Sequence, residues 1–422
     1  MRRNRITLGV TRIWRVLGPG TITGAADDDP SGIATYSQAG AQFGYALTWT
    51  MFLTLPFMAA IQLISGMIGW RTRKGLMNNI AAQLPKPLVY VLLVLLVVAN
   101  TINIAADLAA MGESLRLVIP GSALLFSVLF GVVCLVAEVF VPYHSYAGYL
   151  KFLALALLCY VAAAFSISVP WLKVLSATFV PDLHLNRESI LVIVAVFGTT
   201  ISPYLFFWQA SQEAEEARLR GAPPKQNSRL RRQYFSRIST DTWTGMVFSN
   251  LIAFFIIVTT AATLSAHGIT HIDTASQAAE ALRPIAGNLT FALFSTGIIG
   301  TGLLAVPVLA GSAAYAVAES FNIKGSLELP ANRALGFYGI VSAATLTGAA
   351  IPLTHIDPIA MLFWSAVING VISVPIMGAT MVVVSSRRGR RAFGIPQWLR
   401  VLGWMATVLM GITVAAFAWL NI

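Results

Sequence analysis

A series of about eleven apolar stretches constrains this chain most, since each is close to or above the roughly 20 residues that a helix needs to cross a bilayer. Of the 422 residues, 57% are hydrophobic and only 11% are charged, whereas soluble domains carry about 25% charged residues. The sequence therefore predicts an all-α membrane protein. The stretches fall at approximately 18–45, 46–70, 87–112, 121–141, 146–170, 189–212, 240–265, 288–318, 334–353, 358–384 and 400–421.

The distribution of basic residues predicts the orientation of these spans. With the N-terminus in the cytoplasm, only Arg116, Lys173, Arg187 and Arg283 of the 28 Lys and Arg residues fall outside, as the positive-inside rule requires. We therefore expect a multi-pass protein of the cell inner membrane with its C-terminus outside. The net charge of +11 then needs no nucleic acid to explain it, and the run Arg387 to Arg391 is placed to meet anionic lipid heads of the bilayer.

A single membrane domain, 1–422, is expected, because the longest loops, around 213–239 and 266–287, are too short to bury a core of their own. The charged run from Glu213 to Arg220 follows the sixth span directly and is interpreted as its solvated cytoplasmic extension. The chain contains no His-Glu-x-x-His, P-loop or nucleophile-elbow pattern, so no enzymatic activity is predicted.

Three consecutive aspartates, Asp27, Asp28 and Asp29, interrupt the first span. A mid-bilayer aspartate costs roughly 2.5–3.5 kcal/mol on insertion scales, so these carboxylates need compensation. Pro30 removes a backbone donor and Gly32 adds backbone freedom, which predicts two half-helices joined by an unwound stretch. Its freed carbonyls beside carboxylates are hard oxygen ligands. Asp29 is the favoured cation ligand, while Asp27 and Asp28 line the approach, cap a half-helix or bind directly.

A second interruption lies in the sixth span, at Gly198-Thr199-Thr200-Ile201-Ser202-Pro203-Tyr204. Since Pro30 and Pro203 occupy the first and sixth spans, we interpret 18–170 and 189–384 as two five-helix repeats and 400–421 as an added helix. An odd number of helices inverts the second repeat relative to the first, and paired broken helices mark the midplane site of secondary transporters.

The segments Gly18-Pro19, Asp29-Pro30, Ala34-Thr35 and Gln38 to Tyr45 resemble, without a gap, the first helix of the NRAMP family of divalent-metal transporters. A weaker likeness continues through Asp107-Leu108-Ala109 in the third span and over most of the chain. The resemblance implies the LeuT fold, with about 11 transmembrane helices, helices 1 and 6 broken, a monomeric state, and no cofactor besides the transported cation.

Two departures from the family pattern bear on the substrate. The family's Asp-Pro-Gly-Asn is replaced by Asp29-Pro30-Ser31-Gly32, which keeps the acid and loses the amide ligand. The family's Ala-x-x-Met-Pro-His is matched by Thr199 to Tyr204, so the hydroxyl of Ser202 stands where a thioether ligand would. Oxygen ligands suit Mg, Ca or Mn, and the smaller side chains leave room for a partly hydrated Mg²⁺. The chain thereby resembles the NRAMP-related magnesium transporters, a divergent branch.

Proton coupling is predicted to be weak or absent. The family's histidine in the sixth span is matched by Tyr204, and its glutamate in the third span by Ala110, although Asp107 remains. Tyrosine has a reference pKa near 10 and is a poor proton carrier at neutral pH. The membrane potential is expected to supply the driving force instead.

Three further polar residues lie inside predicted spans. Asn369 in the tenth span either faces the site or makes a hydrogen bond between helices. Asp107 is expected in a gate or vestibule, either paired with Arg333 or another inner-side arginine, or solvated. Glu138 in the fourth span is expected to snorkel or to pair with another side chain.

Three functions are consistent with these features. The first is a divalent-cation carrier, for Mg²⁺ or else Mn²⁺, with Asp29, the carbonyl of Ala26, Thr199 and Ser202 around the ion; it predicts that Asp29→Ala abolishes uptake. Secondary candidates for this site are Asp28, Ser31, Gly32, Thr200, Tyr204 and Asn369. The second is a transporter of the same fold for a non-metal solute, such as bicarbonate or another small anion held at half-helix N-termini. The third is a membrane sensor or scaffold that transports nothing.

Overall fold

The computed structural model describes residues 18–141, 155–181, 186–219, 228–327, 329–354 and 357–421. Within these ranges the chain forms α-helices and short 3₁₀ turns, without a β-strand. The predicted all-α class is therefore confirmed. The long helices are numbered here as spans, in the order of the apolar stretches.

Span 1 comprises Pro19–Asp27 and Pro30–Phe43, span 2 is Trp49–Thr72, span 3 is Lys86–Arg116, span 4 is Ala123–Phe140, span 5 is Leu158–Ser166, span 6 comprises Arg187–Thr200 and Pro203–Leu219, span 7 is Ser228–Thr263, span 8 is Thr290–Ser320, span 9 is Leu335–Ala350, span 10 is Pro358–Ser385 and span 11 is Gln397–Asn421. Shorter helices lie between them at Leu76–Ala81, Trp171–Phe179, Ala275–Glu280, Arg283–Ala286 and Arg387–Phe393.

Nine helices in the described ranges are individually long and apolar enough to cross a membrane. Span 1 is not among them, because its pieces have only 9 and 14 residues, and neither reaches the roughly 20 residues required. Span 5 bends by 116° after Ser166 into Trp171–Phe179, and the predicted segment 146–154 lies outside the described residues. Each predicted stretch thus coincides with a helix, with the first and sixth divided in two.

Both predicted breaks occur at a proline that begins the second half-helix. Pro30 is the first residue of its half-helix, and Asp29 before it has an extended conformation with φ −67° and ψ 169°. Pro203 begins the second half of span 6, after Ile201 has left the helical region with φ −114° and ψ 59°. A proline lacks the N–H that a continuous helix needs, but it fits the first turn of a new one.

The broken spans pack crosswise. The first half of span 1 contacts the second half of span 6, and the second half of span 1 contacts the first half of span 6. Span 7 lies along both halves of span 1, at a very close backbone approach: a Cβ added to Gly24 would lie 2.3 Å from the carbonyl oxygen of Gly245. The two breaks are therefore held against each other in the interior, where the unwound backbone is shielded from lipid.

The charged run that begins at Glu213 was predicted to be a solvated extension of span 6, but its acidic side chains are buried or paired. Span 6 continues as helix to Leu219, with Glu213 fully buried. Arg237 of span 7 pairs with Glu213 at 3.2 Å and with Glu216 at 2.6 Å, and Tyr315 of span 8 donates a hydrogen bond to Glu215 at 2.7 Å. The prediction was wrong because these partners come from distant parts of the chain, and span 7 begins at Ser228, well before the predicted residue 240.

Candidate functional site

Asp29 lies at the break of span 1 and is almost fully buried. Its Oδ1 accepts hydrogen bonds from the backbone N–H of Gly32 at 2.7 Å and from the Ser31 hydroxyl at 2.9 Å. The carboxylate therefore caps the half-helix that Pro30 begins, and the positive end of that half-helix stabilises its charge. The second oxygen, Oδ2, is turned away from the cap.

Tyr204 of span 6 reaches across to this second oxygen. Its buried hydroxyl lies 3.3 Å from Asp29 Oδ2 and 3.0 Å from the carbonyl oxygen of Ala26. Ala26 lies in the last turn of the first half-helix, where the break leaves carbonyls without their usual helical partners. The tyrosine, a secondary candidate in the sequence, thus directly joins two predicted ligands, Asp29 and Ala26.

Thr199 and Ser202 lie at the break of span 6. The Thr199 hydroxyl oxygen would be 3.1 Å from a Cβ placed on Gly32, so the absence of a side chain at Gly32 leaves space for it. The Ser202 hydroxyl lies 2.8 Å from the carbonyl oxygens of both Gly198 and Thr199 at the end of the preceding half-helix. The hydroxyl can donate to one of them while its lone pairs remain available.

Thr200 and Asn369 are bound to other helices. The Thr200 hydroxyl lies 3.0 Å from the hydroxyl of Tyr36 in span 1. The Asn369 side-chain oxygen accepts a hydrogen bond of 2.9 Å from Asn103 in span 3, so Asn369 makes the helix-to-helix bond that was one of its two predicted roles.

Asp27 and Asp28 point away from Asp29, toward span 7. The Ser249 hydroxyl lies 2.5 Å from Asp27 Oδ2 and 3.0 Å from Asp28 Oδ1, although a hydroxyl can donate to only one acceptor at full strength. Sequence reasoning missed Ser249, because serine is common in membrane helices and nothing nearby distinguishes it. The three adjacent aspartates are therefore separated into one at the break, beside span 6, and two at span 7.

Asp107 of span 3 is fully buried beside the break. Neither of its carboxylate oxygens accepts a hydrogen bond from the described residues, and Asp29 and the Ser31 amide are close enough to interact with it electrostatically. Among the described residues Asp107 makes no ion pair with Arg333 or another arginine, and its burial differs from a solvated vestibule position; a gating role for Asp107 stays a prediction. Glu138 accepts a hydrogen bond of 2.9 Å from Thr345 in span 9, so it is paired.

Asp241 of span 7 fixes the start of span 1. Its carboxylate accepts hydrogen bonds from the backbone N–H groups of Gly18 at 2.9 Å, Gly20 at 2.7 Å and Thr21 at 3.1 Å, and from the Thr21 hydroxyl at 2.6 Å. Sequence reasoning missed this capping residue as well, but a signal was present: an acid at the start of the seventh apolar stretch, where acids are rare.

The donors around the break are hard oxygen atoms: the carboxylate of Asp29 with that of Asp107 beside it, the carbonyl of Ala26 and several hydroxyls. In the ranges that the structure describes, no three His, Cys, Asp or Glu side chains converge as a metal-binding group.

A cavity of about 430 Å³ lies beside the second half of span 1. Glu188, Asp273 and Asp357 line it together with Gln38 and Gln42. The same wall includes Ala34, one helical turn beyond the break. Three carboxylates in a concave wall raise the local concentration of cations.

Two broken helices that cross at a buried polar site define a secondary transporter of the LeuT fold, and solved structures of low identity support this fold. The manganese transporter of Eremococcus coleocola superposes with a TM-score of 0.74 at 13% identity, covering 100% of this chain and 89% of that one. Mhp1, a nucleobase-cation-symport-1 family transporter, superposes with a TM-score of 0.59 at 13% identity, covering 96% and 92%.

The model of the Nramp family, described as natural resistance-associated macrophage protein-like, matches residues 20–420. The chain belongs to this family. Among its relatives, the divalent metal cation transporter MntH of Klebsiella pneumoniae is 25% identical over 417 residues, covering 96% of this chain and 93% of the relative. The MntH protein of Yersinia enterocolitica is 28% identical over 304 residues, covering 68% of each.

Proposed function

We propose that this protein carries a divalent cation, most favourably Mg²⁺ and otherwise Mn²⁺, across the inner membrane by alternating access. The observation that carries the proposal is the pairing of the Asp29 carboxylate with the Ala26 carbonyl at the break of span 1, both held by one tyrosine hydroxyl. The similarity to proteins described as transporters of divalent metal cations or of manganese supports a divalent metal ion as the substrate.

The preference for a hard ion rests on the donor set. The available donors are oxygen atoms, from Asp29, the Ala26 carbonyl, Thr199, Ser202 and the hydroxyl of Tyr204. Ser202 matches the position in span 6 at which the family has a methionine thioether. Oxygen donors favour Mg²⁺, Ca²⁺ and Mn²⁺ over softer metals. The small number of carboxylates at the break, Asp29 with Asp107 beside it, favours an ion that retains part of its water.

Transport of an anion is disfavoured by the same geometry. An anion would bind at the N-terminus of the second half of span 1, but Asp29 already occupies that N-terminus through the N–H of Gly32. Asp107 adds negative charge beside the break. Glu188, Asp273 and Asp357 add more in the cavity next to the second half of span 1. An anion would therefore have to displace the Asp29 carboxylate from the half-helix and bind close to several other negative charges.

The remaining parts of the proposal concern movement and driving force. We infer that the repeats 18–170 and 189–384 rock about the crossed breaks, in a monomer with its N-terminus inside and its C-terminus outside. Proton coupling is weak or absent, because the family's sixth-span histidine is Tyr204. The membrane potential contributes about 2.3 kcal/mol per elementary charge per 100 mV, and a divalent cation gains twice that amount.

The test is uptake into proteoliposomes of Mg²⁺, Mn²⁺, Ca²⁺ and a trivalent ion, with bicarbonate as an anion control. Asp29→Asn removes the carboxylate at the break of span 1, and its matched control Asp28→Asn makes the same chemical change one residue away, where the side chain contacts Ser249. We expect Asp29→Asn to abolish cation uptake and Asp28→Asn to retain it. Bicarbonate flux, or cation uptake by Asp29→Asn equal to the parent, would overturn the proposal.

Proton coupling is tested in the same vesicles with a trapped pH-sensitive dye. The expected result is metal uptake that follows an imposed membrane potential without a matching change in internal pH. A proton flux of the same size as the metal flux would show that Tyr204 does not prevent coupling.

A further inference from the structure

A long groove of about 950 Å³ runs between span 2 and span 11, on the outer face of the helix bundle. One end is formed by Arg390 of the short helix Arg387–Phe393 and by Arg400 in the first turn of span 11. Gln397 and Ser385 are the other polar side chains in its wall, and the rest of the lining is apolar and comes from spans 2 and 11. The groove is separate from the cation site, and its role does not depend on what is transported.

The two arginines at the end of the groove have no anionic partner in the described part of the chain. None of the ion pairs there involves Arg390 or Arg400. The Nε atom of Arg400 is buried and makes no hydrogen bond. A buried guanidinium nitrogen without a partner is costly, so the position favours a ligand that supplies an oxygen acceptor and a negative charge.

The apolar part of the groove has the length of a lipid chain. Val401, Met405, Val408 and Ile412 follow one another along span 11 and line the groove. The helical rise from Arg400 to Ile412 is about 18 Å. One leaflet contributes about half of the roughly 30 Å hydrocarbon core. The groove therefore runs from the membrane interface through one leaflet.

Trp404 lies one helical turn beyond Arg400, near the charged end of the groove. Its Nε1 donates a hydrogen bond of 2.9 Å to the hydroxyl of Ser385 at the end of span 10, which fixes the ring as part of the groove wall. Tryptophan is enriched at the level of lipid headgroups. The position of Trp404 therefore indicates that the charged end of the groove lies at the level of the lipid headgroups.

We propose that this groove is a binding site for one anionic phospholipid of the cytoplasmic leaflet. Its phosphate lies between Arg390 and Arg400, where the guanidinium groups donate charge-assisted hydrogen bonds, and an acyl chain lies along span 11 against span 2. The lipid joins span 11, which is outside the two predicted repeats, to span 2 of the first repeat.

The test uses the purified full-length chain in a neutral detergent, so that no charged bilayer surface contributes. Binding of phosphatidylglycerol is measured by native mass spectrometry and compared with phosphatidylcholine and inorganic phosphate. We expect one phosphatidylglycerol per chain. The double variant Arg390→Gln and Arg400→Gln should bind it about 30-fold more weakly, since each basic residue contributes about a fivefold factor to binding of anionic lipid.

The matched control is the double variant Arg387→Gln and Arg391→Gln, which removes two positive charges, as the test variant does, but from residues of the short helix that do not line the groove. It should bind phosphatidylglycerol within twofold of the parent. Val408→Trp, which fills the apolar part and keeps both arginines, should weaken binding. The proposal fails if both double variants lose binding equally, if phosphatidylcholine binds as well, or if inorganic phosphate displaces the lipid.

Discussion

The hydroxyl of Tyr204 lies 3.0 Å from the carbonyl oxygen of Ala26, and this contact joins the two helix breaks. The same hydroxyl lies 3.3 Å from Asp29. One side chain of span 6 thus holds both predicted cation ligands of span 1. A cation that binds Ala26 and Asp29 must either replace this hydrogen donor or use its oxygen as a further ligand.

Tyr204→Phe separates these alternatives. Without the hydroxyl, the buried oxygens of Ala26 and Asp29 lose a donor in the ion-free protein, at a cost of about 1–3 kcal/mol, and an ion would relieve that cost. We therefore expect lower ion-free stability and a larger rise in melting temperature on addition of Mg²⁺. Weaker Mg²⁺ binding than in the parent would instead identify the tyrosine oxygen as a ligand.

Ser249→Ala removes the hydroxyl that lies between Asp27 and Asp28. Two buried carboxylates then lose their shared partner, and we expect the free energy of unfolding to fall by about 1–3 kcal/mol. Ser320→Ala is the control, because that hydroxyl bonds only to the carbonyl of Ala316 in its own helix. Equal melting temperatures for the two variants in detergent would contradict the role of Ser249.

Asp241→Ala removes the cap at the start of span 1. Loss of a capping side chain costs about 0.5–2 kcal/mol, and this carboxylate has four partners, so we expect the upper part of that range. The first half of span 1 should also loosen, which faster hydrogen exchange at the amides of Gly20 and Thr21 would report. Unchanged exchange at these amides would show that packing against span 7 holds the half-helix without the cap.

Gly24→Ala tests the close approach of span 1 and span 7. The added methyl group would lie 2.3 Å from the Gly245 carbonyl, a distance that forces the helices apart. Overpacking of this kind costs about 1–3 kcal/mol. Gly378→Ala in span 10 is the matched control, since no atom lies within 4 Å of its Cβ position. A Gly24→Ala protein as stable as Gly378→Ala would show that the helices shift at little cost.

Much of the fold was predictable from local features. The length and apolarity of each stretch placed the spans, and Pro30 and Pro203 placed the two breaks, because a proline removes a helical hydrogen bond and begins a new helix easily. Proline alone does not decide this, since Pro56, Pro307 and Pro375 lie inside continuous helices; the aspartates and hydroxyl residues beside Pro30 and Pro203 distinguish the two breaks. Boundaries were less predictable where charged residues lie inside a helix. Span 7 begins at Ser228 because Arg237 and Asp241 find buried partners, which the charge pattern alone does not reveal.

The candidate site was predictable in part. Asp29 was selected from its place before Pro30, and it does cap the half-helix that this proline begins. Its neighbours Asp27 and Asp28 could not be distinguished, because successive residues of an unwound segment have no fixed direction until other helices pack against them. Ser249 supplies that direction.

By itself the sequence determined which segments cross the membrane, where two of them break, and that an acid stands at the first break, since hydrophobic length and the missing N–H of proline act within a few residues. The tertiary structure alone decided which oxygen atoms meet there. Tyr204 reaches Ala26, Asp107 is enclosed beside Asp29, and Asn369 bonds to Asn103. These contacts join residues far apart in the chain, and they depend on how each helix is rotated when it packs against its neighbours.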